Sequence, residues 1–239
     1  MDYFMKNDCN FCFALMAAYC IQFNFVTKAQ EPHFSQIMPE LFSVAGSLSN
    51  AWADIDQDGD SDLAISIKGG EIRLYLNDEG ALKSVGEAFG LPTSGDEIRG
   101  LSWGDYDNDG DLDLLAGSNV SPTPSRTYLY RNDGDEGFAE VADEIGLTIP
   151  ARWSRQSNWV DYDNDGDLDL YAANRTGSNR LFNNTDGNFK SVAPSESPYD
   201  PRRSVGACWL DIDMDGDLDL FLANQAGDSD ALWRNDPKT

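Results

Sequence analysis

Four segments carry acidic residues at a spacing suited to cation binding: WADIDQDGDSDLAI (52–65), WGDYDNDGDLDLLA (103–116), WVDYDNDGDLDLYA (159–172) and WLDIDMDGDLDLFL (209–222). Each contains D-x-D-x-D-G-x-x-D. Alternate aspartates in a tight turn converge on one point, and glycine at the sixth position permits the positive φ that a Cβ opposes. Carboxylates at positions 1, 3, 5 and 9, with a carbonyl at position 7, supply most of the 6–8 oxygens that Ca²⁺ takes. The expected carboxylate ligands are Asp54, Asp56, Asp58 and Asp62; Asp105, Asp107, Asp109 and Asp113; Asp161, Asp163, Asp165 and Asp169; and Asp211, Asp213, Asp215 and Asp219. At position 7, Asp60, Asp111, Asp167 and Asp217 are expected to give their backbone oxygen. Up to four Ca²⁺ ions follow from the four loops. Hard oxygen donors disfavour Zn²⁺ and Cu²⁺, and Mg²⁺ demands a stricter octahedron. An EF-hand needs Glu at position 12, where this chain has Ile65, Ala116, Ala172 and Leu222. The loops therefore join strands.

The elements around the loops repeat with them. The first aspartates are 51, 56 and 50 residues apart, a period typical of propellers and solenoids. A strand ending in Trp precedes each loop, and DLAISI, DLLAGS, DLYAAN or DLFLAN follows it. A third strand comes next (71–78, 127–133, 179–184, 231–236), then a polar turn and a short fourth (82–85, 138–141, 189–192). The expected fold is all-β: propeller-type blades, four repeats of four antiparallel strands. Blades are placed near 43–86, 95–142, 151–193 and 203–236, within a repeat domain spanning 30–239. The last repeat lacks its fourth strand. HFSQI (33–37) offers an unattached one, expected beside 231–235. Either the four blades close on themselves, or they are part of a larger propeller.

Composition narrows the chemistry. Among 239 residues, 42 Asp and Glu against 17 Lys and Arg give a net charge of −25, which repels nucleic acid and anionic membranes. The single histidine, His33, leaves little for Ser-His-Asp or His-based acid–base catalysis. The apolar run 11–26 reads as a signal peptide within residues 1–29, too short to span a bilayer, so no membrane span is expected once it is removed. Its removal takes away Cys9, Cys12 and Cys20 and leaves Cys208, expected to be a buried, inert thiol. Trp52, Trp103, Trp159 and Trp209 are expected in blade cores; Trp153 and Trp233 fall outside that register. Arg152, Arg155, Arg202 and Arg203 either pair with nearby acids or face an anionic ligand. Asn119, Asn174 and Asn183 begin glycosylation sequons.

The four WxDxDxDGDxDL-type loops, the YRND turns and the FxxV strands resemble the FG-GAP/VCBS repeats of integrin-alpha-like propellers. WGDYDNDGDLDL with LYRNDGDEGF and VADEIGL is most similar to the repeats of the ASPIC/UnbV (CRTAC-like) group of secreted proteins. The resemblance spans about residues 30–236. It implies a secreted, extracellular or periplasmic module for adhesion, recognition or scaffolding. The function expected is non-catalytic recognition of a protein or carbohydrate ligand on the propeller loops, with Ca²⁺ stapling each blade. The alternative is a polysaccharide lyase or hydrolase, or its carbohydrate-binding part.

Overall fold

The computed structural model describes residues 33–118, 126–147 and 152–236, without the side chains of 152–156 and 176. The leader and Asn119 lie outside the described residues, as do the side chains of Arg152, Trp153 and Arg155. The chain divides into two units, Met1–Ser43 and Val44–Thr239.

The second unit is built from four antiparallel sheets, one per repeat. The first contains β1 (Ser47–Ala53), β2 (Asp62–Ile67), β3 (Ile72–Asp78) and β4 (Ala81–Ser84). The second contains β5 (Ile98–Gly104), β6 (Asp113–Ser118), β7 (Thr127–Asn132) and β8 (Phe138–Glu140). The third contains β9 (Arg152–Val160), β10 (Asp169–Thr176), β11 (Arg180–Thr185) and β12 (Asn188–Ser191). The fourth has three strands, β13 (Ser204–Leu210), β14 (Asp219–Asn224) and β15 (Ala231–Trp233). Each acidic loop joins the first and second strands of its sheet, as its flanking sequence predicts.

The second strands of the middle two sheets, β6 and β10, are apolar on both faces because they are covered on both. Leu114 and Ala116 of β6 face the first sheet, in a core with Ala64, Ile72 and Leu74. Leu115, between them, faces the third sheet, packing with Leu129, Leu170, Ala172, Phe182 and Phe189. Tyr171 and Ala173 of β10 then join Leu181, Leu220 and Leu222 between the third and fourth sheets. Three cores thus link the sheets in chain order. Among the described residues no such core joins the fourth to the first, so the run of blades is open.

Three features depart from expectation, two of them at the open ends of the run. Trp103, Trp159 and Trp209 are half-buried against the three cores, but Trp52, with no preceding sheet among the described residues, is 55% exposed. Cys208 is exposed rather than buried. It pairs with Phe221 on the outer face of the fourth sheet, the face that each earlier sheet buries against its successor. HFSQI forms no strand, and Phe34 is 92% exposed. Met38, at a φ of 46°, and the following Pro39 turn the chain immediately after Ile37, and the exposed apolar groups offer no packing to offset the entropy of extension.

Close packing between sheets is sharpest at Gly104. A Cβ there would lie 2.7 Å from Trp159 Nε1 and 2.8 Å from its Cδ1. Gly104→Val is expected to destabilise the domain by about 1–3 kcal/mol through overpacking, measured as a lower urea midpoint.

Candidate metal centre

The four acidic loops share one backbone geometry. Gly59, Gly110, Gly166 and Gly216 have φ between 96° and 100° at the sixth position. Position 4 is also left-handed, at Gln57, Asn108, Asn164 and Met214, with φ of 58–63°. The position-1 carboxylate caps the turn from inside. In the second loop, Asp105 Oδ1 accepts from the Asp109 amide at 3.2 Å and Oδ2 from the Gly110 amide at 3.1 Å. Asp54, Asp161 and Asp211 hold their own loops in the same way.

Position 9 anchors each loop to its sheet. Asp62, Asp113, Asp169 and Asp219 are fully buried. Their Oδ2 atoms accept the amides of Ile55, Tyr106, Tyr162 and Ile212, at 2.8, 3.1, 3.1 and 3.0 Å. Their Oδ1 atoms accept the amides of Asn77, Asn132, Asn184 and Asn235, at 2.8, 2.9, 2.7 and 2.8 Å. One carboxylate thus ties the loop to the third strand.

The carboxylates brought together differ slightly between loops. Oxygens of Asp105, Asp107 and Asp113 lie within 4.8 Å of one another, as do those of Asp161, Asp163 and Asp169, and of Asp211, Asp213 and Asp219. In the first loop the trio is Asp54, Asp56 and Asp58. Asp109 and Asp165, at position 5, stand outside these trios, and their Oδ1 atoms accept the amides of Asp111 and Asp167 at 2.9 Å. Asp236, which lies outside the motif, joins Asp213 and Asp215. Each trio could hold a metal ion.

The donor chemistry fits a hard cation. Asp107 Oδ1 is buried and accepts no hydrogen bond, and a carboxylate oxygen of Asp107 lies within 4.8 Å of oxygens of Asp105 and Asp113. Burial, reinforced by the charges of Asp109 and Asp105, raises the pKa of Asp107. Asp56, Asp163 and Asp213 are raised, by burial first and by neighbouring aspartates second. Burial pushes Asp113 and Asp169 up to about 7, despite the two backbone amides each accepts. At Asp219 the amides of Asn235 and Ile212 outweigh burial and the pKa is lowered.

The raised pair sets an expected pH response for metal-free protein. A carboxyl whose folded pKa is about 7 against ~3.9 unfolded adds stability that is fully present below ~4 and lost as pH rises through 7. Asp219 and the Arg202-paired Asp200 act oppositely, but only as pH falls through their lowered values. Chelated protein should therefore melt higher at about pH 5 than at about pH 8. An equal or reversed order, read by calorimetry, would contradict the assignment.

Position 4 acts across blades, and sequence reasoning missed it. Gln57 Nε2 donates to Asp111 Oδ1 at 3.1 Å and to the Gly110 carbonyl at 3.0 Å. Asn108 Nδ2 reaches Asp167 Oδ1 at 2.7 Å, and Asn164 Nδ2 reaches Asp217 Oδ1 at 2.8 Å. Position-7 side chains therefore clasp neighbouring loops. The polar residue at position 4 in three loops, against the 90% exposed Met214 in the last, was the available signal.

Other candidate residues resolve plainly. Arg202 pairs with Asp200 and Arg203 with Asp228, so local pairing holds both. Asn174 is buried, its Nδ2 bonded to the Ser178 carbonyl, and presents no glycan acceptor. Asn183 donates to Asp163 Oδ2 at 2.8 Å.

The FG-GAP-like repeat family matches residues 54–116, 119–172 and 161–222, which together take in all four acidic loops. The chain belongs to this family. It is also 30% identical over 112 residues to cartilage acidic protein 1 of Xenopus tropicalis. That match covers 45% of this chain and 17% of that protein, so the chain corresponds to a minor part of its relative's length. The FG-GAP-like repeats indicate a propeller-type recognition or adhesion module, and in the fold each acidic loop lies between the first two strands of its sheet.

Proposed function

We propose that this chain is a secreted, non-catalytic recognition or adhesion module whose blades are each stapled by one Ca²⁺ ion in the acidic loop. The observation that carries the reading is Asp107, whose Oδ1 is buried without a hydrogen bond and whose carboxylate clusters with two others in a loop repeated in four sheets. All-oxygen donors select Ca²⁺ over softer metals. Bound there, the ion neutralises carboxylates that otherwise repel one another. Position-1 and position-9 aspartates already hold the loop by backbone hydrogen bonds, so the ion meets a preformed site. An extracellular setting supplies the calcium, since weak sites of this kind fill at about 10⁻⁴–10⁻³ M. No helix among the described residues is long and apolar enough to cross a membrane. A protein or carbohydrate ligand on the blade loops suits the acidic surface, whereas nucleic acid does not. A polysaccharide panel, read for both binding and product release, tests the non-catalytic reading. Binding without product supports it, and release of shortened chains overturns it.

A further inference from the structure

A cavity of about 310 Å³ lies between the first and second sheets, beside their acidic loops. Its origin is a difference between repeats. At the next interface, Tyr106 at position 2 of the second loop packs against Phe189, with ring centroids 6.1 Å apart. The tight turn of the third sheet closes over that loop: a Cβ on Gly187 would lie 3.2 Å from Asp107 Cβ and 3.6 Å from Tyr106 Cε2. The first loop carries Ile55 at position 2, with no ring to reach across. The matching turn of the second sheet is a 3-10 helix, Gly134–Glu136, whose Gly134 and Asp135 line the space instead of filling it.

The cavity joins an apolar floor to an acidic rim. Ile55 and Phe138 are buried, and Leu76 and Phe89 half-buried. The Phe89 carbonyl accepts the Phe138 amide at 2.7 Å, which fixes their backbones side by side. At the rim, Asp56 and Asp135 are exposed and Asp111 is half-buried. Asp111 and Asp135 belong to none of the carboxylate trios, so their charge stays when the loops hold cations. Asp111 also lacks a partner that its counterparts have. In the first and third loops the position-7 Oδ2 accepts a turn amide, from Glu79 at 2.7 Å and from Asp186 at 2.9 Å. The corresponding amide in the second sheet, that of Gly134, donates to Asn132 Oδ1 at 3.1 Å instead. Among the described residues only Gln57 donates to the Asp111 carboxylate.

We propose that this cavity binds a small organic cation, a primary amine carrying one apolar group of about the size of a phenyl ring. The apolar group enters between Ile55, Leu76, Phe89 and Phe138, and the ammonium stays at the rim, donating to Asp111 and Asp135. The exposed rim lets the ammonium keep part of its water, so only apolar surface is fully desolvated. A volume near the lower end of the ~300–1,000 Å³ typical of ligand cavities suits a small molecule. The net charge of −25 draws cations toward the chain and disfavours anionic competitors. The inference goes beyond the recognition reading and does not depend on it.

The test is calorimetric titration of 2-phenylethylamine into the calcium-loaded full chain. Saturable one-to-one binding with Kd below about 1 mM is expected. 2-Phenylethanol, which lacks the charge, and ethylamine, which lacks the ring, should each bind at least about tenfold more weakly. Ile55→Tyr places in the first loop the ring that the second and third carry, and should abolish binding by filling the cavity. Asp135→Asn, on an exposed turn, should weaken binding about threefold or more and carries the test should the tyrosine variant not fold. Equal affinity for the three compounds would mean attraction to bulk charge alone and overturns the proposal, as does absence of saturation or binding unchanged in both variants. The peptide Phe-Gly-Gly offers the same ring and ammonium at a chain terminus; tighter binding of it than of the free amine overturns the choice of a small molecule as occupant.

Discussion

Stripping calcium with a chelator is expected to lower the melting temperature by tens of degrees or to unfold the chain. An ion that binds only the folded state adds RT ln(1+[L]/Kd), about 2.7 kcal/mol per site at a hundredfold excess over Kd. Four such sites would add roughly 11 kcal/mol, comparable with the whole stability of an ordinary domain, ~5–15 kcal/mol. The blades have no other staple of this size: the one cysteine among the described residues, Cys208, is free. Trp103, Trp159 and Trp209 lie two residues before their loops and against the cores, so tryptophan fluorescence should report the loss. Asp107→Asn sharpens the test by its sign. With calcium present it should destabilise, because a ligand is lost. In chelator it should be neutral or stabilising, because a buried charge beside Asp105 and Asp113 is removed. Equal melting with and without the chelator would reduce the acidic loops to solvated turns.

Asp113→Ala is expected to cost about 3–5 kcal/mol, in chelator as well as in calcium. The side chain is fully buried and accepts the Tyr106 amide at 3.1 Å and the Asn132 amide at 2.9 Å. Alanine leaves both donors without a partner, at roughly 1–3 kcal/mol each. Persistence of the loss without calcium separates this anchoring role from cation binding. A urea midpoint unchanged in chelator would show that Asp113 matters only as a ligand.

The repeat, the loops and the β-strands were legible because they depend on local chemistry. Glycine at the sixth position reports a left-handed φ, and the DLLAGS-type runs report strands covered on both faces. Strand bounds followed within a residue or two for most elements, as at Ile72–Asp78 and Arg180–Thr185. The contacts between blades were not legible. Asn108 meets Asp167 only when two sheets stack, and nothing at a separation of 59 residues announces that pairing. The anchoring role of position 9 was hidden because a ligand and an amide acceptor are the same residue type. Cys208 was misread because that reading assumed a neighbouring sheet that the fourth sheet does not have among the described residues; HFSQI was misread because the chain turns at Met38 and its apolar side chains stay exposed.

The most direct measurement is the number of calcium ions bound per chain, by equilibrium dialysis of protein first freed of metal. The account predicts four saturable ions, one for each acidic loop, and three for Asp163→Ala, which removes one carboxylate of the third trio. A chain that binds no calcium while remaining folded would contradict it.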